Sequence, residues 1–169
     1  SRILADGKEY VNLSSNDYLG LASDKELVKS FLASVPQESL RFSSSGSPLL
    51  TGAHESYAKA QSICEALFKK KAVFFNSGFA ANSGVISALA NLPNTIIIAD
   101  KYAHASIIDG MQKGGKFLRY AHNDYEHLEK LICKVYADYD NIVVATEGIF
   151  SMDGDKADLK RLAALKDKY

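Results

Sequence analysis

The sequence is poor in cysteine and has no excess of charge of either sign. Its two cysteines, Cys64 and Cys133, are too few for a disulfide framework and lack the spacing of metal ligands. Twenty basic residues balance twenty acidic ones, so no overall field favours nucleic acid or an anionic membrane surface. We therefore expect a protein of the reducing cytoplasm that binds any polyanion at a local site.

Long apolar runs are also missing. A membrane-spanning helix needs about 20 apolar residues, whereas runs such as residues 95–99 are far shorter, and the N-terminus lacks a signal-peptide pattern. The 169 residues are 47% apolar and 24% charged, which is enough to bury one sizeable core. These features predict a globular domain without membrane or nucleic-acid partners.

Short apolar segments alternate with helical patterns in the second half of the chain. We predict strands at residues 72–75, 95–99, 116–121 and 141–146. Leu128, Leu131, Ile132 and Val135 between the last two repeat at helical spacing. Strands that are apolar throughout need cover on both faces. The predicted fold class is therefore α/β, a mostly parallel sheet with helices on both faces.

The first half of the chain has a different pattern. A short strand is predicted at residues 9–13, and helices at residues 24–34 and 55–70. Between the helices, residues 41–48 are rich in small polar side chains and predict a loop. Its apolar flanks and short length argue against a flexible linker.

Polar side chains follow three of the predicted strands. Ser77 and Gly78 form a turn into a helix, where free backbone N–H groups suit a phosphate. His104 follows the next strand, and the segment from Glu147 to Ser151 follows the last. Each of these features alone also fits an ordinary loop. Because the carboxyl ends of parallel strands converge, together they predict one crevice.

Two other kinds of site are disfavoured. His122 and His127 are five residues apart, which suits neither one helix face nor a typical zinc pair. Asn123 and Glu126 have capping-box spacing before an apolar helical run, so helix initiation accounts for this segment. The chain also has no Gly-x-Ser-x-Gly elbow, which disfavours a serine hydrolase.

Six ordered motifs resemble those of the α-oxoamine synthases. This family is a branch of the aspartate-aminotransferase-like (fold type I) pyridoxal-phosphate (PLP) enzymes. The motifs lie at residues 14–21, 45–54, 77–82, 100–106, 122–124 and 146–154. The resemblance covers nearly the whole chain, and it implies a fold type I major domain with PLP as cofactor.

The resemblance also implies a role for each candidate site residue. The implied cofactor-binding residues are Gly78, Phe79, His104, Glu147 and Ser151. Gly78 and Phe79 would hold the phosphate, and His104 would stack on the pyridine ring as a catalytic and substrate-orienting residue. Asn16 would lie on the substrate side, and no metal is expected.

The implied reaction joins an amino acid to an acyl thioester with loss of carbon dioxide and thiol. The motifs at residues 77–82 and 121–124 look most like those of the branch that joins L-alanine to pimeloyl-CoA or pimeloyl-acyl carrier protein in biotin biosynthesis. Another branch, such as glycine C-acetyltransferase, remains an alternative, and so does a non-catalytic α/β ligand-binding module. Family members are typically homodimers.

Some family parts are not in the sequence. Residues 1–50 would form an N-terminal segment with the substrate-side loop, and residues 51–169 the first part of the large PLP-binding domain. The aspartate at the pyridine nitrogen, a cofactor-side histidine and the Schiff-base lysine would follow a further strand after Tyr169. A substrate-binding arginine would precede Ser1. We therefore expect an incomplete domain.

Overall fold

The structure, a computed structural model, describes residues 2–41 and 43–169. Phe42, within the predicted loop at residues 41–48, lies outside the described residues. The chain divides into two compact units, Ser1–Ile63 and Cys64–Tyr169. The predicted domains, residues 1–50 and 51–169, are divided by their expected functional roles rather than by compactness. They stay a prediction.

The first unit begins with an antiparallel hairpin of β1 (Arg2–Ala5) and β2 (Lys8–Val11). Asp6 and Gly7 connect the strands with φ values of 49° and 72°, the left-handed conformation that a two-residue hairpin turn requires. The predicted strand at residues 9–13 thus begins at Lys8 and ends at Val11.

The remaining elements of the first unit are helical. Helix α1 (Lys25–Ser34) begins after Asp24, whose carboxylate accepts the N–H groups of Glu26 and Leu27. Short 3-10 turns at Leu21–Ser23 and Gln37–Ser39 flank it. A single turn, α2 (Pro48–Thr51), precedes α3 (Glu55–Phe68), whose C-terminal residues belong to the second unit.

The second unit is built on a parallel three-stranded sheet. Its strands β3 (Thr95–Asp100), β4 (Lys116–Tyr120) and β5 (Asn141–Ala145) lie in the order β4-β3-β5. Every residue of the central strand β3 is buried. A strand that is apolar on both sides pairs in the centre, where helices cover both faces.

Four helices lie on the two faces of this sheet. On one face, Ile97 and Ala99 pack against α4 (Gly78–Ala90) and α5 (Ala105–Gln112). On the other face, Ile96 and Ile98 pack against α6 (Tyr125–Val135) and α7 (Leu159–Lys168). This alternation follows the two-residue period of a strand. The predicted α/β class is confirmed.

The predicted strand at residues 72–75 is wrong. These residues form no ladder with any described part of the chain. Val73 in this segment is 77% exposed. Apolar β-branched and aromatic residues favour a strand, but a strand also needs a hydrogen-bonding neighbour.

The predicted capping box of Asn123 and Glu126 is also wrong. Helix α6 is capped one residue later, by Asp124, whose carboxylate accepts the His127 N–H at 2.9 Å. Asn123 has a φ of 51°, in the left-handed region. Its side-chain amide donates to Asp155 instead.

No helix in the described ranges is both long and apolar enough to cross a membrane.

Candidate active site

The N-terminus of α4 presents backbone amides to open space. Ser77 caps the helix by accepting the Ala80 N–H at 3.0 Å. Gly78 and Phe79 are its first two residues, and amides at these positions have no acceptor within a helix. A Cβ placed on Gly78 would meet no atom within 4 Å. The helix dipole and these amides suit a phosphate group.

His104 follows β3 and caps α5. Its Nδ1 accepts the Ser106 N–H at 3.2 Å and lies 2.7 Å from the Ser106 hydroxyl. The Asn82 amide nitrogen donates to the same hydroxyl at 3.0 Å. We therefore infer that the Ser106 hydroxyl donates its own proton to His104 Nδ1, which accepts it. This chain of hydrogen bonds fixes the imidazole and leaves Nε2 as the ring N–H.

Asn82 lies one turn after Gly78 in α4. Its bond to Ser106 therefore connects the start of α4 to the start of α5, where His104 lies. The two helices also pack against each other, and both cover the face of the sheet that holds Ile97 and Ala99. The predicted phosphate turn and the predicted ring-stacking histidine are thus joined by one intervening pair of side chains.

Glu147 meets His104 directly. It follows β5, is half-buried, and accepts the backbone N–H of His104 on Oε1. The contact joins the ends of two neighbouring parallel strands, as convergence of strand ends predicts. It spans 43 residues of sequence, so no local pattern could have revealed it.

Within the described part of the second unit, no hydrogen bond joins the predicted site residue Ser151 to this group. Ser151 is exposed in the turn that follows Phe150. Asn16 belongs to the first unit, in the connection before α1. The cofactor role of Ser151 and the substrate role of Asn16 stay predictions.

Sequence reasoning missed a second polar cluster at the same strand ends. Asp100, His122, Asn123 and Asp155 are joined by hydrogen bonds between 2.6 and 3.0 Å. One signal was available: Asp100 ends a continuous apolar strand, where an unpaired carboxylate would be costly. Asp155 gave no such signal because Asp153 and Gly154 alone explain the turn.

The donor set formed by the α4 N-terminus and the residues after β3 and β5 fits PLP. A phosphate ester suits the open amides of Gly78 and Phe79, and the exposed imidazole of His104 offers a flat face to an aromatic ring. No cluster of His, Cys, Asp and Glu side chains suited to a metal ion occurs among residues 2–41 and 43–169. The site therefore has the groups for an organic phosphate.

Comparison with protein families decides the lineage. Residues 8–169 match the family described as aminotransferase class I and II. The chain belongs to this family. An 8-amino-7-oxononanoate synthase from Haemophilus ducreyi is 45% identical over 172 aligned residues, which cover 99% of this chain and 44% of that protein. The chain thus spans less than half of the relative's length.

Solved structures agree with this assignment. Serine palmitoyltransferase from S. paucimobilis, determined with a PLP adduct bound, matches 99% of this chain and 43% of its own with a TM-score of 0.84 and 29% identity. The 8-amino-7-oxononanoate synthase of Francisella tularensis matches 90% of this chain and 41% of its own, with a TM-score of 0.66 and 28% identity. Together with the relatives, these matches confirm the resemblance to α-oxoamine synthases and the fold type I architecture.

Proposed function

We propose that this chain forms the phosphate- and ring-binding part of a PLP-dependent 8-amino-7-oxononanoate synthase. The whole enzyme would condense L-alanine with a pimeloyl thioester, releasing carbon dioxide and the thiol, as a step of biotin biosynthesis. The observation that carries the proposal is the junction of the α4 N-terminus, His104 and Glu147 at one end of a parallel sheet. The 45% identity to the H. ducreyi enzyme supports the choice of substrates.

Each predicted site residue has a distinct task in this proposal. The amides of Gly78 and Phe79 bind the phosphate, and His104 stacks on the pyridine ring and orients the amino acid. Glu147 holds the His104 backbone, and Ser151 donates a hydrogen bond to the cofactor. Asn16 contacts the substrate. When bound, PLP supplies the electron sink for the carbanion that forms on loss of carbon dioxide.

A related oxoamine synthase is the second candidate. The structural match to serine palmitoyltransferase, with its TM-score of 0.84, is closer than the match to the F. tularensis enzyme. Acyl donor and amino acid could therefore differ while the strand-end junction stays the same. A homodimer with the site near the subunit interface is part of the proposal for either candidate.

Product assays on the full-length protein separate these candidates. We expect 8-amino-7-oxononanoate from L-alanine with pimeloyl-CoA or pimeloyl-acyl carrier protein, and the better of the two donors identifies the carrier. Product from glycine with acetyl-CoA, or from serine with a long-chain acyl-CoA, would replace the substrate assignment. Absence of PLP binding in an absorption titration would refute the enzyme and leave a non-catalytic ligand-binding module.

A further inference from the structure

The connections that follow β3, β4 and β5 meet in a cluster built around one histidine. The carboxylate–imidazole cluster consists of Asp100, His122, Asn123 and Asp155. Asp100 ends β3, His122 and Asn123 follow β4, and Asp155 lies in the long connection after β5. In sequence, Asp100 lies close to His104 and Asp155 lies close to Glu147. The cluster nevertheless shares no residue with the His104–Glu147 contact.

Asp100 ties the first two connections together. Its side chain is fully buried. Oδ1 accepts the Tyr102 N–H at 2.7 Å and the His122 Nδ1–H at 2.8 Å, and Oδ2 accepts the Asn123 N–H at 3.0 Å. Three donors thus compensate the cost of burying this carboxylate.

Asp155 adds the third connection. Its Oδ2 accepts from His122 Nε2 at 2.8 Å and from the Asn123 amide nitrogen at 2.6 Å. Its carbonyl accepts the Phe150 N–H at 2.9 Å. Asp155 therefore anchors the C-terminal end of the segment that carries Glu147 and Ser151.

Aromatic rings hold the imidazole in place. The Tyr102 ring stacks on His122 with centroids 4.4 Å apart, and the buried Phe150 ring meets it edge-on at 4.5 Å. Phe150 lies within the same segment as Glu147. The His122 ring is thus fixed by packing as well as by hydrogen bonds, and it fixes Phe150 in return.

The geometry excludes a role for His122 as a general base. Both ring nitrogens lie 2.8 Å from carboxylate oxygens, so neither is free to take a proton from a substrate. Neither nitrogen has a hydroxyl or thiol partner among the hydrogen bonds of the described residues. A histidine that donates from both nitrogens is suited to joining two acids.

We infer that His122 is a positioning residue that joins Asp100 to Asp155 and thereby holds the segment of residues 147–155 where Glu147 meets the His104 amide. The importance of this position for catalysis rests on the proposed function, whereas the mechanical link does not. The pKa of His122 supports the role: burial lowers it, but the bonds to Asp100 and Asp155 outweigh burial and raise it above 6.5.

A pair of substitutions separates the two bonds of the imidazole. In His122→Asn the amide nitrogen can replace Nδ1 and keep the bond to Asp100, but it cannot reach Asp155. In His122→Gln the longer side chain can place its amide nitrogen at the position of Nε2. We expect His122→Asn to speed amide hydrogen exchange of residues 147–155 about tenfold or more, the factor for loss of one charge-assisted hydrogen bond. His122→Gln should restore most of the protection.

His127→Asn is the matched control, because His127 lies close to His122 in sequence, in the first turn of α6, and its Nδ1 accepts the Ala121 N–H at 3.0 Å. An asparagine oxygen can still accept that bond, so exchange in residues 147–155 should not change. Exchange in β3 should stay constant in all three variants. Unchanged exchange of residues 147–155 in His122→Asn, or an equal rise throughout the protein, would overturn the positioning role.

Activity measurements on the same full-length variants keep the two proposals distinguishable. We expect His122→Asn to lower kcat of the PLP-loaded protein, with partial rescue in His122→Gln. Faster exchange of residues 147–155 in a protein that binds no PLP would support the mechanical link and refute the proposed function. PLP binding and full turnover in His122→Asn, with unchanged exchange, would refute the link and leave the proposed function standing.

Discussion

In the proposed function His104 has two separable tasks, and its side chain can be replaced so that only one is lost. Its Nδ1 caps α5 by accepting the Ser106 N–H, while the exposed ring face serves the proposed cofactor. An asparagine can cap a helix as well as any residue but has no aromatic face. His104→Asn therefore removes stacking alone, and His104→Ala removes stacking and the cap.

We expect both His104 variants to lose turnover by roughly 10²-fold, because misplacing a bound reactant by about 1 Å can lower the rate by that factor. Only His104→Ala should also lose stability, by about 0.5–2 kcal/mol, the usual effect of deleting an N-cap. Steady-state kinetics beside thermal melts of the full-length protein measure both effects. Full turnover in His104→Asn would contradict the stacking role, and equal melting temperatures would contradict the capping role.

His122 makes stability depend on pH in a direction that its environment fixes. The groups that face it are the carboxylates of Asp100 and Asp155 and the ring of Tyr102. The net effect is a raised pKa in the folded protein. A raised histidine pKa contributes stability that is fully present below the unfolded value of about 6.5 and is lost as pH rises through the folded value.

The difference in melting temperature between the unmodified protein and His122→Asn should therefore be largest at about pH 6, below the ordinary histidine pKa, and shrink toward pH 9. Melts across this range test the expectation, with His127→Asn as the control that should track the unmodified protein. A difference that grows with rising pH would show that the imidazole is not charged between the two acids.

At the scale of elements, the pairing of α4 with α5 depends on one small residue. A Cβ on Gly110 of α5 would come within 2.8 Å of both the Ile86 side chain and the Ser83 carbonyl oxygen of α4. Alanine would therefore force the helices apart and disturb the Asn82–Ser106 bond that orients His104. Gly84 of α4 offers a contrast, because its Cβ would meet only the Phe75 ring, at 3.6 Å.

Gly110→Ala should destabilise the protein by about 1–3 kcal/mol, the usual cost of overpacking. Gly84→Ala should leave stability unchanged or raise it by up to about 1 kcal/mol, because alanine is the better helix former. Chemical denaturation of both variants provides the comparison. A stable Gly110→Ala would mean that α4 and α5 can separate without cost.

Residue patterns predicted several of the elements directly. Residues 95–99 predicted β3 because a continuous apolar run is typical of a central parallel strand, and the helix predicted at residues 24–34 corresponds to α1. The same rules failed for residues 72–75, whose strand character has no ladder among the described residues. Propensity describes a segment, whereas a strand is a property of a pair.

The site was predictable only as far as strand ends converge. His104 and Glu147 follow neighbouring strands, and their contact agrees with that expectation. The His122 cluster was not predictable, because Asp100 and Asp155 are 55 positions apart in sequence and only the β4-β3-β5 order brings their connections together. Asn123 was interpreted as a helix cap, since capping spacing shifted by one residue looks the same in sequence.

At the scale of the whole molecule, the proposed function needs a lysine that we expect to lie outside residues 1–169. A lysine that attaches covalently to the cofactor aldehyde must lose its proton readily, so its pKa must be lowered. Lys168 has the opposite environment: its hydrogen bond to Glu129, at 2.6 Å, raises its pKa. Lys113 is held in an ion pair with Asp109 at 2.5 Å.

We therefore expect no selective attachment of PLP within residues 1–169. Borohydride reduction of the full-length protein with PLP, followed by peptide mapping, should label one lysine outside this range stoichiometrically and the lysines inside it only weakly and without preference. In a Lys168→Arg variant the map should not change, because the ammonium of Lys168 serves Glu129 rather than the cofactor. Stoichiometric labelling of a single lysine within residues 1–169 would contradict this assignment.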